Sequence, residues 1–351
     1  MQHLNTISFP HDLTGFSEII DVRSPAEFAL DHIPGAINLP VLDDAQRIEV
    51  GILYKQSPFE ARRLGAAMVS ENIAIHLKNH LADKDNDYLP LLYCWRGGMR
   101  SRSFTLILKS IGWKAHVTKG GYRAFRQAVV DTSKQFLETD SLDLRVLSGL
   151  TGVGKTRLLI ALKAEGGQII DLEGLANHKG SLLGASPSSG QPTQKRFESQ
   201  LWGQLRQLDY NKPIYIEAES NRIGNVHCPP PLWAALRQAK VINVELPINE
   251  RIVLLREDYP HFQDAPESLT SLLDILVRLR GQNQVDQWLQ LVEQQDWNGF
   301  VGSILTHHYD LCYRQPGDEK SNYQASTQDL GIRDATPASF QAAAQELLAR
   351  G

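Results

Sequence analysis

A cysteine that closes an apolar run and is followed by glycines and arginines is the first sign of chemistry in this chain. Leu91-Leu92-Tyr93 reads as a buried strand ending on Cys94, and Phe104-Thr105-Leu106-Ile107-Leu108 opens an apolar helical pattern. At such a strand-to-helix turn backbone N–H groups converge and the helix dipole is positive. Both favour thiolate, the nucleophilic form. Gly97 and Gly98 let the loop wrap the sulfur without Cβ clashes. Arg96, Arg100 and Arg102 add positive charge suited to a phosphate-bearing or otherwise anionic reactant. The competing reading is a buried structural cysteine before a turn.

A second site is written in the other half. Leu144–Ser148 reads as a strand, Gly149-Leu150-Thr151-Gly152-Val153-Gly154-Lys155-Thr156 follows, and Arg157–Leu162 continues as a helix ended by Gly166-Gly167. This is a complete Walker A pattern in its strand–loop–helix context. Gly149, Gly152 and Gly154 let backbone N–H groups cradle phosphates, Lys155 reaches their oxygens, and Thr156 is placed to ligate Mg²⁺. The plain alternative is a glycine-rich turn before a helix. Two further strands, 168–173 and 213–219, end in carboxylates. Parallel strands would set Asp171, Glu173, Glu217 and Glu219 beside the loop, where they could order Mg²⁺ or a water. Glu217 and Glu219 point the same way along a strand, and ordinary solvated strand ends compete with this reading. The long polar stretch 175–193, with donors Asn177, His178, Lys179, Ser181 and Gln191, has the length of a lid or binding loop.

These sites need two scaffolds, and 351 residues are enough for two cores. In the first half, strand 17–23, a helix after Ser24-Pro25, a strand near 36–39, a helix over about 60–81 and a last strand 114–117 alternate. Such alternation implies a parallel sheet covered on both faces. Thr132–Ser141 is polar and is the expected linker, giving domains 1–134 and 135–351. A helix over 194–207 should pack Phe197 and Trp202 inward, Lys240–Leu246 is a further strand, and the part from about 249 reads as helical.

Composition bounds the partners. Cys94, Cys228 and Cys312 are too widely spaced for a disulfide framework and fit a reducing cytoplasm. The opening residues lack a signal-peptide pattern and no apolar run would span a bilayer, so a cytoplasmic protein without membrane contact is expected. The net charge of −4 does not mark a nucleic-acid binder. From Arg96 to Lys134, however, basic residues face the single acid Asp131, a local surface suited to a phosphate backbone or explained by a solvated helix face. His307-His308 diverge on a helix and no acid or cysteine completes a metal set, so they read as surface, RNA-facing or packing residues. Cys228 reads as structural.

Four motifs of the first half, Asp21-Val22-Arg23-Ser24-Pro25-Ala26-Glu27-Phe28, His32-Ile33-Pro34-Gly35-Ala36-Ile37-Asn38, Tyr93-Cys94 and Lys119-Gly120-Gly121-Tyr122, resemble a rhodanese in order. The resemblance implies that Cys94 handles sulfur or selenium and that Asp21 and Arg23 support the loop. Cys94 and Arg100 also fit the Cys-x5-Arg spacing of cysteine-dependent phosphatases. With the Walker A loop, Asp171–Ser181, Ile216-Glu217-Ala218-Glu219-Ser220 and His308-Tyr309-Asp310 added, the whole chain resembles the tRNA 2-selenouridine synthase family. The fold class implied is α/β throughout: a rhodanese-like domain, then a P-loop NTPase-like domain with a helical C-terminal region.

That family resemblance implies exchange of sulfur for selenium in 2-thiouridine at the tRNA wobble position. Selenophosphate would be the donor and geranyl diphosphate the source of an S-geranyl intermediate, with no tightly bound cofactor. Cys94 would act on selenium, with Arg96 or Arg100 on the selenophosphate. Trp95 would stack on an everted base and the basic helix would hold the tRNA. The P-loop, with Lys155 and Mg²⁺, would stabilise the departing diphosphate. Two other classes stay open: a nucleotide-dependent kinase or ATPase with a regulatory rhodanese module, and a cysteine-dependent phosphatase.

Overall fold

The computed structural model describes residues 4–9, 13–138, 142–180, 190–313, 316–317, 322–325 and 328–350. The chain divides into two compact units: Met1–Gln135 with Thr193–Gly203, and Phe136–Pro192 with Gln204–Gly351.

The first unit is built on five parallel strands: β1 (Asn5–Ile7), β2 (Glu18–Asp21), β3 (Ile37–Asn38), β4 (Pro90–Tyr93) and β5 (His116–Thr118), in the order β1-β5-β4-β2-β3. Every residue of β4 is buried, as expected of a central strand covered on both faces. Its core joins Ile20, Leu92, Phe104 and Leu108. Between β3 and β4 lie two helices, Asp44–Gln56 and Pro58–Lys78, where the sequence reading expects one over about 60–81. Pro58 separates them, fitting the first position of the second helix. The expected linker is largely helix: Gly121–Leu137 runs through Thr132, with Ser133 and Leu137 buried. Residues 139–141 lie outside the described part.

The second unit has a parallel sheet of β6 (Leu144–Ser148), β7 (Gln168–Ile170), β8 (Ile214–Glu217), β11 (Lys240–Glu245) and β12 (Gln328–Gly331), ordered β12-β11-β6-β8-β7. A small hairpin, β9 (Arg222–Ile223) with β10 (Val226–His227), stands apart. The strand order reverses at β6, so its carboxyl end opens at a topological switch point. The helix Lys155–Ala164 packs Leu158, Leu159 and Leu162 against the sheet and against Phe340 and Leu347 of the helix Pro337–Ala349. The region after 249 is mostly helical but contributes β12 to the sheet edge beside β11. Helices Glu267–Arg280, Gln282–Glu293 and Trp297–Ile304 form their own core around Leu273 and Trp288.

β7 is shorter than the expected strand 168–173. Asp171 turns instead into an N-cap, its carboxylate accepting from the Gly174 N–H at 2.7 Å, and Leu172–Ala176 is a short helix. The helix Gln194–Leu205 buries Phe197 and Trp202. Trp202 packs edge-on to Phe125 at 5.3 Å and donates Nε1–H to Thr132 Oγ1 at 2.7 Å, within the first unit.

Candidate active sites

In the first unit β4 delivers Cys94 to the N-terminus of the helix Met99–Ile111, whose N-cap is Gly98. Cys94 is 3 % exposed. The Gly98 N–H donates to its sulfur at 3.1 Å and the Ser101 hydroxyl at 3.2 Å. Two donors, one of them the backbone N–H of the helix N-cap, converge on that sulfur. The loop is tied down from the other side, because the N–H groups of Tyr122 and Arg123 donate to the carbonyls of Cys94 and Trp95 at 2.9 and 3.1 Å. Gly121 makes that approach possible. Its φ is +57°, and a Cβ there would stand 2.1 Å from the Cys94 carbonyl oxygen.

Asp21 and Arg23 of the first motif lie in the interior of the unit. Arg23 and Asp21 form a buried pair at 2.6 Å, and the Arg23 guanidinium lies 4.0 Å from the Tyr122 ring centre and donates to the Asp31 carbonyl at 2.6 Å. Burial pushes the Asp31 carboxyl up, although Tyr122 and Ser199 donate to it at 2.8 and 2.9 Å. Arg100 donates to Glu27 at 2.9 Å. Burial works to raise the Glu27 carboxyl, but the Arg100 charge overrides it and holds it below its ordinary value. Arg96 and Arg102 are exposed, as are Lys114, Lys119, Arg123 and Lys134, whereas Arg126 is turned onto Glu198 and Ser199. Trp95 is 38 % exposed and rests on Tyr122, ring centres 5.2 Å apart.

In the second unit the loop 149–156 runs from the end of β6 into the helix Lys155–Ala164. Gly154, at φ +80°, lies so close to the Phe340 ring that a Cβ would come within 2.5 Å. Lys155 Nζ donates to the Gly149 carbonyl at 3.3 Å, folded back over the loop. Thr156 Oγ1 donates to Glu173 at 3.2 Å, and the Glu173 N–H donates to Glu217 at 2.7 Å.

Asp171, Glu173 and Glu219 line one cavity with Lys155 and Thr156, of about 970 Å³. Glu217 is not among its lining residues and is 1 % exposed, with Oε2 lacking a hydrogen-bond partner. Burial, then the charges of Glu173 and Asp171, pushes its carboxyl well up. Burial and Glu173 push Glu219 up to about 8 against the pull of Lys155. Among the described residues no group of three or more His, Cys, Asp or Glu is arranged to hold a metal ion. The Thr156–Glu173 pair fits instead an ion that shares its ligands with a bound phosphate.

Further residues at or behind the cavity come from the region after 249. Arg251, 3 % exposed, donates Nε–H to the Thr151 carbonyl at 2.8 Å and grips Asp310 with both Nη atoms at 3.0 and 2.6 Å. Leu255, Tyr259, Tyr309, Cys312 and Tyr313 form part of the wall. A π-turn, Leu305–Tyr309, leaves His307 exposed and His308 buried, where His308 meets Arg280 at 3.1 Å. His178 lines the cavity with Nδ1 unpartnered, and burial lowers its pKa. Lys179 donates to the Asp258 carbonyl at 2.7 Å, Asn177 adopts φ +48° at a helix end, and Gln191 bonds the carbonyls of Ala176 and Ile223. Ser181 and the rest of the stretch to 189 lie outside the described residues. Cys228 is buried, its thiol pushed up to about 12 by that burial. No helix among the described residues is long and apolar enough to cross a membrane.

Two family profiles match this chain. A family profile described as the tRNA 2-selenouridine synthase AAA domain matches residues 142–329, and that of the rhodanese-like domain matches 10–128. A protein of Marinobacter nauticus, named tRNA 2-selenouridine synthase, is 34% identical over 84% of this chain and 87% of its own. Proteins of the same name from Hydrogenovibrio crunogenus and Nitrosomonas europaea are 33% and 37% identical. The first covers 84% of this chain and 88% of its own, the second 69% and 63%.

Proposed function

We propose a two-step exchange of sulfur for selenium on tRNA, from the premise that this chain belongs to the tRNA 2-selenouridine synthase family. The substrate base is 2-thiouridine at the wobble position, whose C2 sulfur is a poor leaving group until it is alkylated. In the first step that sulfur attacks C1 of geranyl diphosphate. The S–C1 bond forms, the C1–O bond breaks, diphosphate leaves, and the N3 proton passes to solvent or a base. In the second step selenium from selenophosphate bonds to C2. Water takes up the phosphoryl group as the P–Se bond breaks, and the C2–S bond breaks to release geranylthiol with a proton.

The observation that carries this reading is the phosphate loop with Lys155 opening into one large cavity, in a chain whose other unit holds a doubly hydrogen-bonded cysteine sulfur. The loop N–H groups and Lys155 would receive the negative charge as diphosphate departs. Thr156 and Glu173 would hold a Mg²⁺ ion on the diphosphate, and that ion would supply further charge neutralisation. Glu217 would fix the backbone of Glu173 behind them. Cys94 would take or position selenium, with Arg96 at the exposed mouth of its loop on the phosphate. The bond from Arg100 to Glu27 makes Arg100 a support of that loop as well as a candidate contact. Trp95, Arg102, Lys119 and Arg123 present an exposed ring and charges to a single-stranded anticodon loop.

Nucleoside mass spectrometry of 2-thiouridine tRNA tests the scheme, with geranyl diphosphate given alone and then with selenophosphate. The expected result is a geranylated nucleoside that converts to 2-selenouridine. Lys155→Ala should abolish the first step, while Cys94→Ala should stop at the thioether. Unchanged tRNA with Lys155-dependent loss of ATP, or Cys94-dependent release of phosphate from an aryl phosphate, would replace the scheme.

A further inference from the structure

Beside the phosphate loop the cavity changes character. Leu255 lies directly against the loop, its side chain 2.9 Å from where a Gly152 Cβ would stand. Ile160, one turn beyond Thr156 on the same helix, is 61 % exposed yet lines the cavity. Three tyrosines complete that wall, each fixed by its surroundings. Tyr259 stacks on Phe262 with ring centres 6.0 Å apart and lies under the Lys179 ammonium at 4.5 Å. Tyr309 packs edge-on to His308 at 4.8 Å, and Tyr313 shares a hydrogen bond of 2.9 Å with Ser148 at the end of β6.

A nucleotide bound at the loop would set a ribose, with its hydroxyls, next to the diphosphate. Against Gly152 stands the aliphatic side chain of Leu255, which offers those hydroxyls no hydrogen bond. A prenyl diphosphate sets hydrocarbon there, and burying it against Leu255 and the tyrosine rings is favourable at about 25 cal/mol per Å². The cavity is also large for the loop's anion alone, and falls at the upper end of the usual range for pockets of about 300–1,000 Å³.

From this geometry we infer that Leu255, Ile160, Tyr259, Tyr309 and Tyr313 form the seat of the isoprenoid chain, and that Leu255 and Tyr309 set the length accepted. The inference rests on the proposed use of a prenyl diphosphate and adds where its chain lies.

The test uses the full chain, 2-thiouridine tRNA and three probes: dimethylallyl, geranyl and farnesyl diphosphate. The thioether formed is read by mass, with inorganic diphosphate binding and Tm as controls. Leu255→Trp should raise KM for geranyl diphosphate at least tenfold relative to the dimethylallyl compound. Tyr309→Ala should shift preference toward farnesyl about tenfold. Tyr309→Ala should bind inorganic diphosphate as the parent does, and taking the ratio to the dimethylallyl compound removes any effect of the Leu255→Trp ring on the loop it touches. If the parent forms no thioether with any probe, the proposed function fails. If it forms the thioether and both folded variants keep the parent's chain-length preference, the seat assigned to these residues is wrong. Weakened ATP binding in both variants with unchanged prenyl selectivity would place a nucleoside against this wall and overturn the inference.

Discussion

The guanidinium of Arg251 donates to the carbonyl oxygen of Thr151 at 2.8 Å, so the phosphate loop is braced by a residue distant in sequence. Arg251 is itself locked by Asp310. Arg251→Met should cost about 3 kcal/mol, since it leaves Asp310 and the Thr151 carbonyl without their donor. Urea unfolding would give the loss, and a raised KM for geranyl diphosphate would show the loosened loop. An unchanged midpoint and KM would mean the brace carries no energy.

Gly121→Ala places a methyl group 2.1 Å from the Cys94 carbonyl oxygen at a positive φ. The first unit should lose more than about 2 kcal/mol. Selenation should fall with it while thioether formation at Lys155 continues. The ratio of thioether to selenouridine in digested tRNA reads the split directly.

The buried acids make stability depend on pH in a stated direction. Glu217 and Glu219 have carboxyls raised in the folded protein, Glu219 to about 8, against about 4.3 in an unfolded chain. Above about 4.3 the unfolded chain releases protons that the folded one keeps, so stability falls as pH rises toward 8. Glu217→Gln should therefore raise Tm more at pH 8 than at pH 5. Its carbonyl can still accept from the Glu173 N–H, and its amide can face the neighbouring carboxylates. Equal shifts at both pH values would show that Glu217 is not the proton holder.

Trp202→Ala removes a fully buried indole that packs on Phe125 and bonds Thr132. A loss of about 3–5 kcal/mol is expected. Hydrogen exchange should place it on the first unit, at the strands that flank Cys94. Increased exchange confined to the second unit would contradict the assignment of residues 193–203 to the first.

The Cys94 loop and the phosphate loop are legible in the sequence because each is a local pattern, a strand, a few glycines and a helix whose chemistry depends on neighbours in the chain. The parallel α/β layering is legible for the same reason. Asp171 shows where that stops: hydrophobic pattern extends β7 through 173, but a side-chain cap competes with the strand and wins. The helix Asp44–Gln56 carries Ile48 and Ile52 on its exposed side, so its apolar stripe is weak. β12, Gln-Asp-Leu-Gly, has one buried apolar residue and becomes a strand only because the edge of β11 is there to pair with. Arg251 and Leu255 reach the loop through tertiary packing alone, and no spacing in the chain announces them, whereas Tyr309 stands in the His308-Tyr309-Asp310 motif but owes its place in the cavity wall to the fold.

The first unit is not continuous in sequence, since residues 193–203 complete it only after residues 136–192 of the second have been made. During vectorial synthesis Phe125 and Asp31 must wait, the ring without Trp202 and the carboxylate without Ser199, until the helix Gln194–Leu205 leaves the ribosome. The nascent cysteine domain is thus held in an unfinished state while the phosphate loop behind it emerges. A chain cut after Glu138 would keep every rhodanese motif and still lack one wall of its core.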